Sequence, residues 1–213
     1  MGGTGTGTPA SAGITGSGRL VSAPSTEALR LGDIKRHLRL STGATNEDKM
    51  LKVYRAAARD RVETYLERKL IHQRWYHVLD EWPEGEYFRL QYAPVTSAPS
   101  SAIVYKKSDG TSTTLSSSAW EVDIMNDPGR ISLGYGEDWP TDSLWNVNPI
   151  RVEYKVGYSN QSTGIPEAIT NAMLLIIGHL YENREEVSVV GAGRSVQQIP
   201  KAAEYLLAPY RNF

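Results

Sequence analysis

The sequence predicts an α+β protein: a helical bundle of two N-terminal and two C-terminal helices, with a small antiparallel β block inserted between them. Three observations carry this. Apolar residues repeat every three or four positions before residue 70, and after residue 165 a proline-started run is apolar on most sides. Between them, short runs of aromatic and branched residues alternate with Gly, Pro, Asn and Asp. The dipeptide Asp109-Gly110 lies between two such runs, which is a hairpin signal.

Residues 1–24, MGGTGTGTPASAGITGSGRLVSAP, offer little apolar surface to offset the entropy of ordering. The expectation is a flexible arm over residues 1–28, unless a partner orders it. A domain over 29–208 and a short tail over 209–213 follow. Leu31, Ile34 and Leu38 form one stripe, giving a helix over 32–39. Thr45 is a candidate N-cap for a helix over 46–70, with Glu47 and Asp48 near its positive end. On that helix Leu51, Tyr54, Ala58, Val62 and Tyr65 share a face.

The β block spans 74–158. Its strand-like pieces are 74–80, 87–92, 102–107, 113–115, 120–124, 130–133 and 150–158. Pro166 suits the first position of a helix over 166–184. That helix is apolar on most sides, so neighbouring copies are one way to cover it. A last helix runs over 200–208, and Pro209 stops it.

Of 213 residues, 40% are hydrophobic, the formal net charge is -1 and no cysteine is present. These values exclude disulfides and Cys-ligated metals, and argue against a general nucleic-acid or membrane-surface binder. No apolar run reaches the ~18 residues of a membrane span. Nor does the start resemble a signal peptide, so the expectation is a soluble intracellular protein. Charge is uneven: residues 30–74 carry twelve Lys/Arg against six Asp/Glu, whereas residues 75–213 carry ten against seventeen. Two solvated faces of opposite sign account for this; electrostatic polarity that orients neighbours is the sharper reading.

No catalytic constellation is legible. His37, His72, His77 and His179 form no HxxxH or HExxH pattern. Ser143, Ser188 and Ser195 lack a GxSxG context, and GAGRS at 191–195 lacks the lysine of a phosphate loop. The pairs Glu137-Asp138 and Glu185-Glu186 read as solvated turns. Lys35, Arg36, Arg39, Lys52, Arg55, Arg59 and Arg61 form a basic patch that interspersed acids dilute. All five tryptophans fall in the β block or its loops. Trp75 and Trp120 read as core; Trp139 and Trp145, in a long Gly/Pro loop, are the candidate contact residues. A carbohydrate-binding or hydrolytic module built on those loops is the alternative from another class.

The chain closes on LLAPYRNF, an apolar and aromatic ending with one arginine. Leu207, Pro209, Tyr210, Arg211 and Phe213 are therefore candidate partner-binding residues, aromatics and arginine being enriched at interface hot spots.

The order and spacing of several stretches resemble the head–tail connector (adaptor) proteins of tailed bacteriophages. They are LRLGDIKRHLRL with NEDKMLKVYRAAARDRVETYLERKL, then DPGRISLGYGEDWP, then IPEAITNAMLLIIGHLYENREEV, and finally IPKAAEYLLAPYRNF. The resemblance covers about residues 29–213 and departs at the Gly/Thr-rich start and at Arg30, where the family often has a capping Thr. It implies a non-enzymatic virion protein without cofactor or metal, assembled in the host cytoplasm. Such subunits form a homo-oligomeric ring, usually of twelve copies, under the portal protein. The ring extends the channel for packaged double-stranded DNA, which passes without sequence-specific binding, and offers a platform for a stopper or tail protein. A stopper or tail-completion ring is the nearest alternative. On this reading the tail docks on the portal or a neighbouring subunit, and Glu185, Glu186 and Arg194 are candidate channel-facing residues.

Overall fold

A computed structural model of the chain describes residues 17–183 and 200–211. In order they form β1 (Ser17–Ser22), α1 (Leu31–His37), α2 (Asp48–Leu66), β2 (Gln73–Leu79), β3 (Tyr87–Arg89), β4 (Val95–Ser97), β5 (Ile103–Lys106) and β6 (Ser112–Thr114). There follow β7 (Trp120–Asp123), β8 (Arg130–Leu133), β9 (Ile150–Val156), α3 (Glu167–Glu182) and α4 (Lys201–Leu207), then a 3-10 turn over Ala208–Tyr210. The class is α+β, with helices at both ends of an antiparallel β block.

Two apolar cores divide the work. Leu51, Ala58, Val62 and Leu66 of α2 pack with Ile169, Ala172, Met173 and Ile177 of α3, all buried. The face that the α2 spacing predicts is the face that is buried, with Tyr54 and Tyr65 at its edge. On α3, Leu174, Leu175, Leu180 and Tyr181 stay half-buried, so the described part of the protomer covers this apolar helix incompletely. The second core lies in the β block around Phe88, Leu90, Ile103, Trp120, Ile131, Val152 and Tyr154.

Both ends of α2 differ from expectation. Its N-cap is Glu47, not Thr45, and it makes no side-chain cap. The preceding loop is held from outside: the buried Lys35 ammonium donates to the Ala44 carbonyl at 2.5 Å and pairs with Asp48 at 2.6 Å. At the other end the helix stops at Leu66, because Glu67 takes a left-handed conformation (φ 56°). The Glu63 carboxylate accepts the Leu70 N–H at 2.9 Å and pairs with Lys69 at 3.3 Å. Glu67 thus takes the left-handed position that glycine usually fills, with backbone N–H groups of Glu67 and Arg68 closing on the Glu63 carbonyl, while the Glu63 side chain fixes the turn that follows. Pro166 and Pro200 sit one place before the first helical residue, not within the helix. Their extended ψ turns each carbonyl toward the next helix's first N–H groups.

The β block holds two sheets, not one. The larger has the order β1-β2-β9-β5-β6, with β4 also paired to β9; the smaller is β3-β8-β7. Strands β2 and β9 pair from Gln73↔Val156 to Leu79↔Ile150, and Ile150, Val152, Tyr154 and Val156 point alternately inward. The Asp109-Gly110 turn joins β5 to β6, Gly110 having φ 90° and Asp109 accepting the Thr111 N–H at 2.8 Å. The edge strand β1 comes from the segment expected to be a flexible arm. Leu20 pairs with Trp75 and Arg19 with Tyr76, yet five of its six residues are exposed. The backbone ladder holds it rather than burial, which is why its composition gave no signal.

Candidate interaction surfaces

The end of the chain does not leave the body at Pro209. It continues through the 3-10 turn, and the Arg68 Nε–H donates to the Tyr210 carbonyl at 2.6 Å. The Tyr210 ring is half-buried against the helical core, and the Arg211 guanidinium lies 5.3 Å from the Tyr65 ring centroid. Leu207 is 0% exposed and belongs to the protein's own core, so it offers no surface to a partner. What the end does present is Pro209, exposed, and Tyr205, 83% exposed one turn earlier on α4. Tyr205 escaped the sequence reading; its i, i+4 relation to Pro209 was the available signal. Phe213, Glu185, Glu186 and Arg194 lie outside the described residues.

Arg68 also joins this end to the β block. Its Nη2 pairs with Asp127 at 2.5 Å, in the turn between β7 and β8. Tyr158 packs beside it, and burial pushes its hydroxyl above the ordinary tyrosine range. The turn is pinned by Asp123, whose Oδ1 accepts the Met125 N–H at 2.9 Å and whose Oδ2 accepts from Asn126 Nδ2 (2.6 Å) and Arg130 Nε (2.8 Å). The Asn126 amide is the largest of the effects that hold this carboxyl below its usual range. Held so, the turn projects Met125, 91% exposed, beside the exposed Ile124.

The two candidate tryptophans separate. Trp139 stacks on Trp82 at 5.0 Å with planes 10° apart, touches Phe88, and donates its Nε1–H to the Gly85 carbonyl at 2.9 Å. It is a packing residue: Trp82 covers one ring face, and its polar atom is used. Trp145 remains exposed, with the Lys106 ammonium 3.7 Å from its ring centroid. Asp142 ties this loop to β5 through Tyr105 Oη and Lys107 Nζ, each at 2.9 Å. Those bonds, the lysine's first, hold the Asp142 carboxyl down. Trp75 packs on Tyr92 and Trp120 is buried.

No group of three His, Asp or Glu with metal-binding geometry occurs among the described residues. His77 is buried and stacked on Phe88, and His72 is bonded to Asn160 at 2.7 Å. A cleft of about 430 Å³ between Thr26, Arg30, Arg55 and Asn160 holds one carboxylate, Glu27, which pairs with Arg59 at 2.8 Å. No described helix is long and apolar enough to cross a membrane.

The fold is shared with protein chains of gene transfer agent (GTA) particles. A chain from the neck of an empty GTA particle, computed with C6 symmetry, superposes with a TM-score of 0.74 at 23% identity, over 92% of this chain and 96% of that one. A chain from the virion of a native GTA particle gives 0.73 at 22% identity, over 92% and 95%. A chain from the neck of a native GTA particle, computed with C12 symmetry, gives 0.70 at 21% identity, over 92% and 96%. No protein-family model matches the chain, and neither does any curated protein sequence.

Proposed function

We propose that this protein is a structural subunit of the neck of a phage-like particle: a head–tail adaptor that forms a twelve-copy ring under the portal. The observation that carries the reading is the near-complete superposition on neck chains, one of them from a neck computed with C12 symmetry. Extra support for an adaptor is the helical half, with α3 packed between α2 and α4, and the incompletely covered α3. The ring extends the channel for double-stranded DNA and gives the stopper or tail its platform. Glu185, Glu186 and Arg194 are assigned to the channel side.

The chain end is the portal-facing contact. Tyr205, Pro209 and Arg211 are the exposed members of that surface, with Phe213 beyond it. Tyr210 has a different part, anchoring the base of the tail to Arg68. The test is truncation after Arg211, which spares the Arg68–Tyr210 bond. The truncated protein is expected to fold normally and to be missing from portal-bearing heads. Normal incorporation of the truncated chain would overturn the docking role of Phe213, and normal incorporation of Tyr205→Ala as well would overturn that of the chain end.

A further inference from the structure

The molecule has two poles. Strand β2 starts at the helical core and runs seven residues away from it, roughly 20 Å at 3.3 Å per residue. Three loops meet at its far end. Asp80 accepts the Asn148 N–H at 2.8 Å, which draws in the loop carrying Trp145 and Val147. The Trp139–Gly85 bond and the Leu133 N–H to the Glu86 carbonyl (2.8 Å) draw in the loop carrying Tyr135. Tyr135 is fully exposed at the tip of its turn, and Trp145 and Val147 are exposed beside the same end of the sheet. Around them Glu81, Glu84, Glu86, Glu137 and Asp138 are exposed, and none makes an ion pair with a described residue.

The opposite pole is the outward face of α2. Lys49, Val53 and Ala57 follow one another at i, i+4 and i+8, with Lys52 alongside, and all four are exposed. Val53 is 64% exposed in the middle of a helix, and neither lysine has an ion pair among the described residues. One pole thus offers a projecting aromatic ringed by carboxylates. The other offers a shallow apolar strip, Val53 and Ala57, with Lys49 and Lys52 at its N-terminal end.

We propose that these poles meet between copies: the acidic, Tyr135-tipped loops of one subunit dock on the Lys49–Ala57 face of α2 in the next. The two surfaces are different and complementary, so the contact is head-to-tail rather than twofold, and it builds a ring where the rotation between successive copies closes. Tyr135 against Val53 and Ala57 supplies a desolvated apolar centre, and the carboxylate–lysine pairs form the rim and fix the orientation. A second copy is the occupant because the chain itself carries both halves of the match; duplex DNA would be repelled by the acidic pole. This inference rests on the ring reading above and adds which surfaces build the ring.

The absence of cysteine in the sequence makes the test clean. Full-length chain carrying both Val53→Cys and Tyr135→Cys is assembled into particles and oxidised. A ladder of disulfide-linked multimers is expected, with neither single variant giving more than a dimer. Copy number in the same particles is read independently by electron microscopy. A ring of copies without a ladder overturns this contact and leaves the ring reading intact; absence of any ring overturns both. Should the double variant fail to assemble, a charge exchange decides. Lys49→Glu/Lys52→Glu and Glu84→Lys/Glu137→Lys are each expected to lose assembly alone and to regain it when mixed. Failure of the mixture to recover, or normal assembly of either variant alone, counts against the contact.

Discussion

Arg68 holds the carbonyl of Tyr210, 142 residues away in sequence, at 2.6 Å, while the same guanidinium pairs with Asp127 at 2.5 Å. One side chain thus ties together the end of α2, the β7–β8 turn and the end of the chain. Its planar fork reaches both partners at once, which a lysine cannot do. Arg68→Ala is expected to destabilise the protein by roughly 2–4 kcal/mol, the range for losing two charge-assisted bonds at a half-buried site. Arg68→Lys should recover less than half. Urea denaturation of the two variants measures this.

Tyr205 makes the opposite prediction. It lies 83% exposed on α4, beside Pro209 and outside either core. Tyr205→Ala should change stability by no more than ~0.5 kcal/mol. Incorporation into portal-bearing heads should nevertheless fall, as quantified by immunoblotting of purified heads.

The loop between α1 and α2 depends on Lys35, which is buried with its charge placed between Ala44 O and Asp48. Lys35→Met keeps the stem but leaves Asp48 facing the site without its partner. The expected cost is about 1–3 kcal/mol. Hydrogen exchange should rise first in residues 41–47.

Gly157 has φ 116°, and a Cβ there would lie 2.5 Å from the Ile71 carbonyl. It sits where the chain leaves β9 and passes the start of β2, at the seam between the two cores. Gly157→Ala is expected to cost more than ~2 kcal/mol, from strain and the backbone clash together. Thermal melting compares it with Gly43→Ala, where an added Cβ meets nothing.

The carboxyls of Asp123 and Asp142 are both held below their ordinary range by bonds to their ionised forms. A depressed folded-state pKa stabilises the fold above the unfolded value, near 4, and that contribution is lost as pH falls through the lower folded value. The melting-temperature gap between wild type and Asp123→Asn should therefore be full at pH 6 and shrink progressively below about pH 4. A gap independent of pH would show that the carboxylate's charge does not hold the turn.

Sequence periodicity was enough to locate α2, which buries one face at helical spacing, and Pro166 with the apolar run behind it was enough to locate α3. The Asp109-Gly110 hairpin was legible for a local reason too: Gly110 requires a positive φ. What stayed hidden depends on distant partners. Strand β1 exposes nearly all its side chains and exists through its ladder with β2. Strand β4 is three residues long and follows Pro94, which reads as turn. The turn after α2 is held by Glu63 reaching Leu70, and Trp139 stacks on Trp82. Among the candidate surface residues, composition marked the chain end as unusual. Only the fold shows that Leu207 faces inward, that Tyr210 is tied down, and that Tyr205 and Met125 face out.

Whether this chain forms a ring in a particle neck is decided by an asymmetric electron-microscopy reconstruction of the intact particle. Twelve copies coaxial with the portal are expected, with residues 205–213 of each against it. Density for the chain elsewhere in the particle, or in a single copy off the channel axis, would contradict the ring.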